Sequence, residues 1–399
     1  MSAADPSEWT SGWRIVAASA LANATGISLL FYTFNLFVLP MADDLHLSRG
    51  QGGVIQSMII TAALGAPVIG RLADRVGFHW LFAACTLAMA ATELAMWQWA
   101  SSLAAMATGI ALIGFIGGGS ATVLLTRPVN AHFTRHRGLA LGLVGTGISL
   151  TTVFVPPWLQ GIIAAHGWRS GFMVLALIAL GLGLPAVLAL MPRGAKTRGA
   201  PRSGTPNRDF LRSRDFWLLV TANVCIAVAT AASISQLSPM LQERGLSAGT
   251  AAWGISCFAV GQLIGKLGGG WLIDRFEPRL VAALLNALPT IGFVLLLTQH
   301  GDFALLMLAV GLIGMVQGAD IGIFSYFVAR LFGAERYGTI FGALHGLGWI
   351  GTALGVIGAG FSYDRFGGFW AVQLAAIGLL LVGAALIPLT RLPPLAPHR

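Results

Sequence analysis

Five ionisable side chains stand inside long apolar runs of this sequence: Glu93, Arg127, Lys266, Asp320 and His345. A charge at the centre of a bilayer costs at least about 2.5–3.5 kcal/mol on insertion scales, so each needs a reason. Lys266 is one of two lysines in the chain and lies eight residues before Asp274. At the helical rise per residue that sets it about 12 Å from the end of its helix. A cation at that depth suits the carboxylate of an organic anion, held by a point charge rather than a bidentate fork; the competing reading is a lysine snorkelling to the surface. Asp320 stands about 15 Å from Arg330 by the same rise. It can pair with Lys266 or bind and release a proton, so occupancy of Lys266 would switch its protonation. Arg127, next to Pro128, is a second anion contact or a snorkelling residue, and Glu93 reads as packing. His345 lies among Gly342, Gly346, Gly348, Gly351 and Gly355, small residues that let helices approach closely. It is either a packed polar group or a substrate contact. Tyr32, Asn35, Gln262 and Trp349 are the uncharged groups expected to complete the site.

Other chemistries lack their residues. Cys85, Cys225 and Cys257 are isolated, with neither metal-ligand nor disulfide spacing. Neither a zinc-protease helix, a nucleophile elbow nor a phosphate loop is present, so an enzyme is not expected and no cofactor or metal is implied.

The elements that must hold these residues are membrane helices. Of the 399 residues 56% are hydrophobic and 10% charged, against roughly 25% charged in soluble domains. Apolar stretches fall at 12–38, 50–69, 80–99, 103–126, 138–161, 170–191, 215–238, 248–270, 280–298, 303–328, 338–361 and 369–390. Each is long enough for a crossing helix, and none shows the alternation of a membrane barrel strand. The acidic start, Asp5 and Glu8, lacks the basic region of a cleaved signal, so the first span is expected to be retained. With both termini in the cytoplasm, eighteen Lys and Arg fall inside, and four fall outside: Arg49, Arg169, Arg244 and Arg365. The net charge of +9 is thus an orientation signal rather than a nucleic-acid footprint. The polar segment 192–214, with three prolines, reads as a cytoplasmic linker between halves 1–191 and 215–399.

The halves repeat. Gly70-Arg71-Leu72-Ala73-Asp74-Arg75 recurs 200 positions later as Gly270-Trp271-Leu272-Ile273-Asp274-Arg275. The same offset joins Gly65 to Gly265, Gly114 to Gly314, Gly138 to Gly338 and Gly167 to Gly367. Two parallel repeats of six helices with a site near the midplane describe an all-α transporter architecture of twelve helices.

On these residues the chain resembles the major facilitator superfamily over essentially its whole length. Gly70 to Gly77 resembles the superfamily's signature loop, with His79 near the place of a final basic residue. Phe133 to Ala140, then Phe332-Gly333, Tyr337-Gly338 and Tyr363 to Gly367, resemble the branch of monocarboxylate and oxalate–formate transporters. The resemblance implies alternating access between two bundles. Asp74 and Asp274 stand at helix ends where a carboxylate can accept helix N-terminal amides and pair with Arg75, Arg135 or Arg137; the resemblance implies that these contacts, with Arg275, latch the cytoplasmic side, and the competing reading is a pair of ordinary loops with surface ion pairs. Gly265-Lys266 resembles the place where the monocarboxylate branch carries an arginine that holds the substrate carboxylate. The oxalate–formate branch it resembles carries a basic residue on the eleventh helix for a second carboxylate, and this chain has no Lys or Arg between Arg336 and Arg365; the resemblance thus disfavours a dicarboxylate unless Arg127 compensates. The expected function is secondary transport of a small organic anion, a monocarboxylate, coupled to protons, by a monomer in the inner membrane. The alternative is proton-coupled efflux of drugs or metabolites, with Asp320 rather than Lys266 binding a cationic substrate.

Overall fold

The computed structural model of the protein describes residues 6–120, 122–133, 136–192, 208–299, 301–333 and 337–392. The chain divides into two compact units, Met1–Pro201 and Arg202–Arg399. Among the described residues both units are built of helix, six rods each. The first holds α1 (Pro6–Thr25, resuming as Ile27–Thr33), α2 (Arg49–Ser57, a 3-10 turn Met58–Ile60, then Thr61–Val76), α3 (Phe78–Trp99), α4 (Leu103–Gly117, resuming as Thr122–His132), α5 (Arg137–His166) and α6 (Arg169–Ile178, a π turn Ala179–Gly183, then Leu184–Leu190). The second holds α7 (Arg214–Ser235), α8 (Ala248–Arg275), α9 (Pro278–Ala287 and Pro289–Thr298), α10 (Phe303–Phe332), α11 (Tyr337–Phe366) and α12 (Trp370–Leu386).

Ten helices among the described residues are long and apolar enough to cross a bilayer. Their outer faces carry bare Phe154, Leu267 and Leu284, surface that lipid rather than water would cover. The two remaining rods, α2 and α4, are divided. The run read from the sequence as one crossing over 103–126 breaks after Gly117. Gly117-Gly118-Gly119-Ser120 is a poor helix former, and the break is tied down. Ser120 Oγ accepts the Ile27 amide at 3.3 Å and donates to the Gly117 carbonyl at 3.1 Å. Ile27 opens the second segment of α1 after Gly26, so the two interrupted helices meet at their interruptions. The π turn of α6 reaches the same level, with Gly183 pressed on the Thr25 side chain. In unit two, α10 runs unbroken past the matching point, where Asp320 replaces Ser120.

Lipid gives helices no hydrophobic reason to associate, so close contact between small residues decides which rods pair. In unit one α2 meets α4 where Gly65 abuts the Phe115 carbonyl and Thr61 Oγ1 donates to the Ala111 carbonyl at 2.7 Å. In unit two α8 meets α10 where Gly265 abuts the Met315 carbonyl and Gly261 that of Gly311. All four positions shift by the repeat length. The caps shift likewise: Ser102 caps α4 by accepting from Ala105, and Asp302 caps α10 by accepting from Leu305. So do the turns after α5 and α11, where Gly167 and Gly367 have φ of 82° and 69°, left-handed values costly for residues with a Cβ.

At the end of unit one opposite the start of α1, an arginine staples three elements. Arg169 Nη1 lies 2.7 Å from Asp44 Oδ2 in the short helix Val38–Leu45, and its Nε donates to the Ala100 carbonyl after α3 at 2.8 Å. The Trp168 indole also donates to Asp44, at 3.3 Å. The Arg169 hydrogen bond, above all, holds the Asp44 carboxyl below its ordinary value. Unit two keeps the staple and moves the arginine. At the position 200 after Asp44, Arg244 donates to the Leu297 carbonyl at 3.3 Å and to Gln373 Oε1 of α12 at 3.2 Å.

Candidate functional site

In unit two, Gln262 and Lys266 stand one turn apart on the same face of α8. Gly318 of α10 presses on the backbone between them, against the Gln262 carbonyl, and a Cβ added to it would lie 2.9 Å from the Lys266 backbone nitrogen. The lysine side chain is half-buried. Asp320 follows Gly318 by two residues, about 200° around α10, so it leaves from the side away from that contact. No ion pair joins Asp320 to Lys266 among the described residues. The sequence places the two charges at similar depth; the helix phase keeps them apart in this structure. Asp320 Oδ1 is buried without a hydrogen-bond partner.

His345 lies edge-on to Phe341, ring centroids 4.3 Å apart, and its Nε2 is buried without a hydrogen-bond partner. One turn on, Gly348 rests on Asn223 of α7, whose Oδ1 is likewise buried and unpartnered. This puts an unpartnered amide oxygen on the seam of α7 and α11. Trp349 is 43% exposed.

Unit one carries the other candidates. Asn35 is buried beyond α1, its Nδ2 donating to the Tyr32 carbonyl at 2.8 Å and its Oδ1 without a partner. Tyr32 is half-buried and edge-on to Phe31 at 5.3 Å. Arg127 is half-buried in the second segment of α4. Glu93 is 2% exposed on the inward face of α3, with Oε2 lacking a hydrogen-bond partner.

Of the expected latch, Arg135 and the side chains of Asp74, Arg137 and Asp274 lie outside the described residues. Arg75 is exposed at the end of α2, and Arg275 lies over the Trp271 ring, 4.7 Å from its centroid. His79 is a structural tie, its Nε2 2.9 Å from the Met191 carbonyl after α6. Sequence reasoning missed the neighbouring clasp in which Glu8 Oε2 meets His136 Nδ1 at 3.1 Å and the His136 amide at 3.3 Å, with Trp9 on Phe133 at 4.9 Å. The basic run around His136 was the available signal. Gln56 and Gln236, both buried with amide atoms unpartnered, were missed as well; nothing in their spacing marks them.

Comparison with known proteins adds ancestry to this geometry. The model of the Major Facilitator Superfamily matches residues 19–247 and 219–399. Monocarboxylate transporter 11 of Mus musculus is 24% identical over 410 residues, covering 96% of this chain and 88% of that protein. The gallate transporter of Pseudomonas putida is 27% identical over 386 residues, covering 80% and 82%. Among solved structures, a bacterial homologue of the human lysosomal transporter Spinster superposes with a TM-score of 0.72 at 18% identity, covering 95% of this chain and 97% of that one. That last likeness is one of fold.

Proposed function

The chain belongs to the Major Facilitator Superfamily, a transporter rather than an enzyme, and on that premise we propose that it carries a small monocarboxylate together with protons by alternating access. The observation that carries the reading is half-buried Lys266 on the Gln262 face of α8, a cation in a membrane helix that serves no packing need of the repeat, whose other copy has Ala66 there. A carboxylate is a ligand that suits a cation at that depth. The relatives named for monocarboxylate and gallate transport support an anionic cargo. Arg127, His345, Tyr32, Asn35 and Trp349 are assigned to the remaining substrate surface. Asp320 is assigned the proton: its buried, unpartnered oxygen is costly when ionised, and a proton is the smallest ligand that removes that cost. We place both termini in the cytoplasm of an inner membrane by the distribution of Lys and Arg, with the latch of Asp74, Arg75, Arg135, Arg137, Asp274 and Arg275 on that side and one chain as the working unit.

Uptake of labelled carboxylates into proteoliposomes under an imposed pH gradient tests this. The parent should accumulate a monocarboxylate. Asp320→Asn should retain exchange and lose gradient-driven accumulation. Flux of organic cations that survives Lys266→Ala and fails in Asp320→Asn would establish drug or metabolite efflux instead.

A further inference from the structure

We propose that the end of unit two at which α7 begins is a binding site for the headgroup of an anionic phospholipid. Four arginines are strung along one rim there by specific contacts. The 3-10 turn Arg208–Arg212 is pinned by Phe210, edge-on to Phe216 at 4.9 Å, and by the Trp217 indole, which donates to the Leu211 carbonyl at 2.7 Å. This fixes Arg212 beside Arg214. Asp215 Oδ1 accepts the backbone amide of Arg391 at 3.1 Å, bringing the chain after α12 against the start of α7. The next carbonyl, that of Leu392, accepts from Arg279 Nη2 at 2.9 Å, which adds the start of α9. Arg212, Arg214 and Arg391 are exposed; Arg279 is half-buried, with Nε lacking a hydrogen-bond partner.

The carboxylates among the described side chains do not neutralise this rim. Asp215 is engaged by the Arg391 amide, and Glu277 accepts the Arg279 amide at 3.4 Å while standing 3.8 Å from its Nε. Among the described side chains four guanidinium groups therefore face two carboxylates, and charge complementarity calls for an anion with several acceptor oxygens. The neighbouring surface decides its source. Leu211 and Trp217 are 41% and 49% exposed beside the arginines, at the entry of a crossing helix where an indole sits at headgroup level. A free phosphate would satisfy the guanidinium groups and leave this apolar surface bare. A phospholipid covers both, phosphate on the rim and acyl chain along α7. The assignment depends on α7, α9 and α12 crossing a bilayer and is independent of the transported substrate.

The test is native mass spectrometry of the purified full chain in neutral detergent, titrated with phosphatidylglycerol, phosphatidylcholine or glycerol phosphate. Each arginine near an anionic surface contributes about fivefold in affinity. The parent should retain phosphatidylglycerol in preference to phosphatidylcholine, and glycerol phosphate should not displace it. The pair Arg212→Gln with Arg391→Gln should weaken retention by about 30-fold. The corresponding pair of lysine variants should bind like the parent, as should Arg365→Gln at the opposite end of the unit. Equal retention of both lipids, unchanged binding in the glutamine pair, equal loss in the lysine pair, or displacement by glycerol phosphate would each overturn the assignment.

Discussion

Arg169→Ala should destabilise the protein by about 2 kcal/mol, a figure assembled from three contacts of one side chain. The ion pair with Asp44 is short, but its partners are 33% and 46% exposed, so solvent screening limits it to under about 1 kcal/mol. The Nε bond ends on the carbonyl of Ala100, a residue 2% exposed, and an acceptor stranded there costs about 1 kcal/mol. The guanidinium also lies over the Trp168 ring, 4.4 Å from its centroid, for about 0.5 kcal/mol. Thermal unfolding of the purified protein, with Asp44→Ala and the double variant completing a cycle, separates the pair from the rest. The coupling energy should stay under about 1 kcal/mol while the single Arg169 variant loses more. The acid limb gives an independent check. Because the Arg169 hydrogen bond depresses the Asp44 carboxyl in the folded state, its contribution is complete above the unfolded value near about 4 and disappears as pH falls through the lower folded value. The parent should therefore lose more stability than Arg169→Ala over roughly pH 5 to 3. Equal melting of the parent and Arg169→Ala, or acid limbs of equal steepness, would refute the reasoning.

Three further outcomes follow from the packing. Gly65→Ala and Gly265→Ala place a methyl on a backbone carbonyl, whereas Gly142 and Gly342 face open space; thermal melts should show each of the first pair losing about 2–3 kcal/mol and each of the second gaining up to about 1 kcal/mol in helix propensity. Ser120→Ala strands the Ile27 amide where α1 and α4 are interrupted and should lower unfolding stability by about 1–3 kcal/mol, with Ser120→Thr closer to the parent. Glu93→Met should raise the melting temperature and leave uptake unchanged, since an apolar side chain of similar length suits a site that offers the carboxyl oxygen Oε2 no partner; loss of uptake in a well-folded Glu93→Met protein would show that α3 takes part in transport.

Much of the fold is legible in the sequence because membrane helices satisfy their own backbone and announce themselves by length. The repeat is legible because both halves solve the same packing problem with glycine at the same places: Gly65 and Gly265 on facing carbonyls, Gly167 and Gly367 in left-handed turns. Where the halves differ, the pattern is silent. The breaks in α1 and α4 depend on Ser120 reaching Ile27, 93 residues away in the chain, and the glycine run in α4 shows weak helix without showing what holds it. Asp44 and Arg244 occupy matching positions with opposite charge, so the staple survives while its arginine changes sides. Depth along a helix could be counted for Lys266 and Asp320, but the pairing also needed the phase of α10 against α8, which Gly318 sets through contact with the Gln262 backbone.

Binding of a labelled monocarboxylate to the purified parent, Lys266→Gln and Lys266→Arg, measured at equilibrium in detergent, reaches the central claim without invoking protons or flux. If the Lys266 ammonium holds the carboxylate, removing its charge should weaken binding by roughly 10-fold to 100-fold, and arginine should restore most of it. Saturable binding of the anion to Lys266→Gln with the parent's affinity would contradict the account.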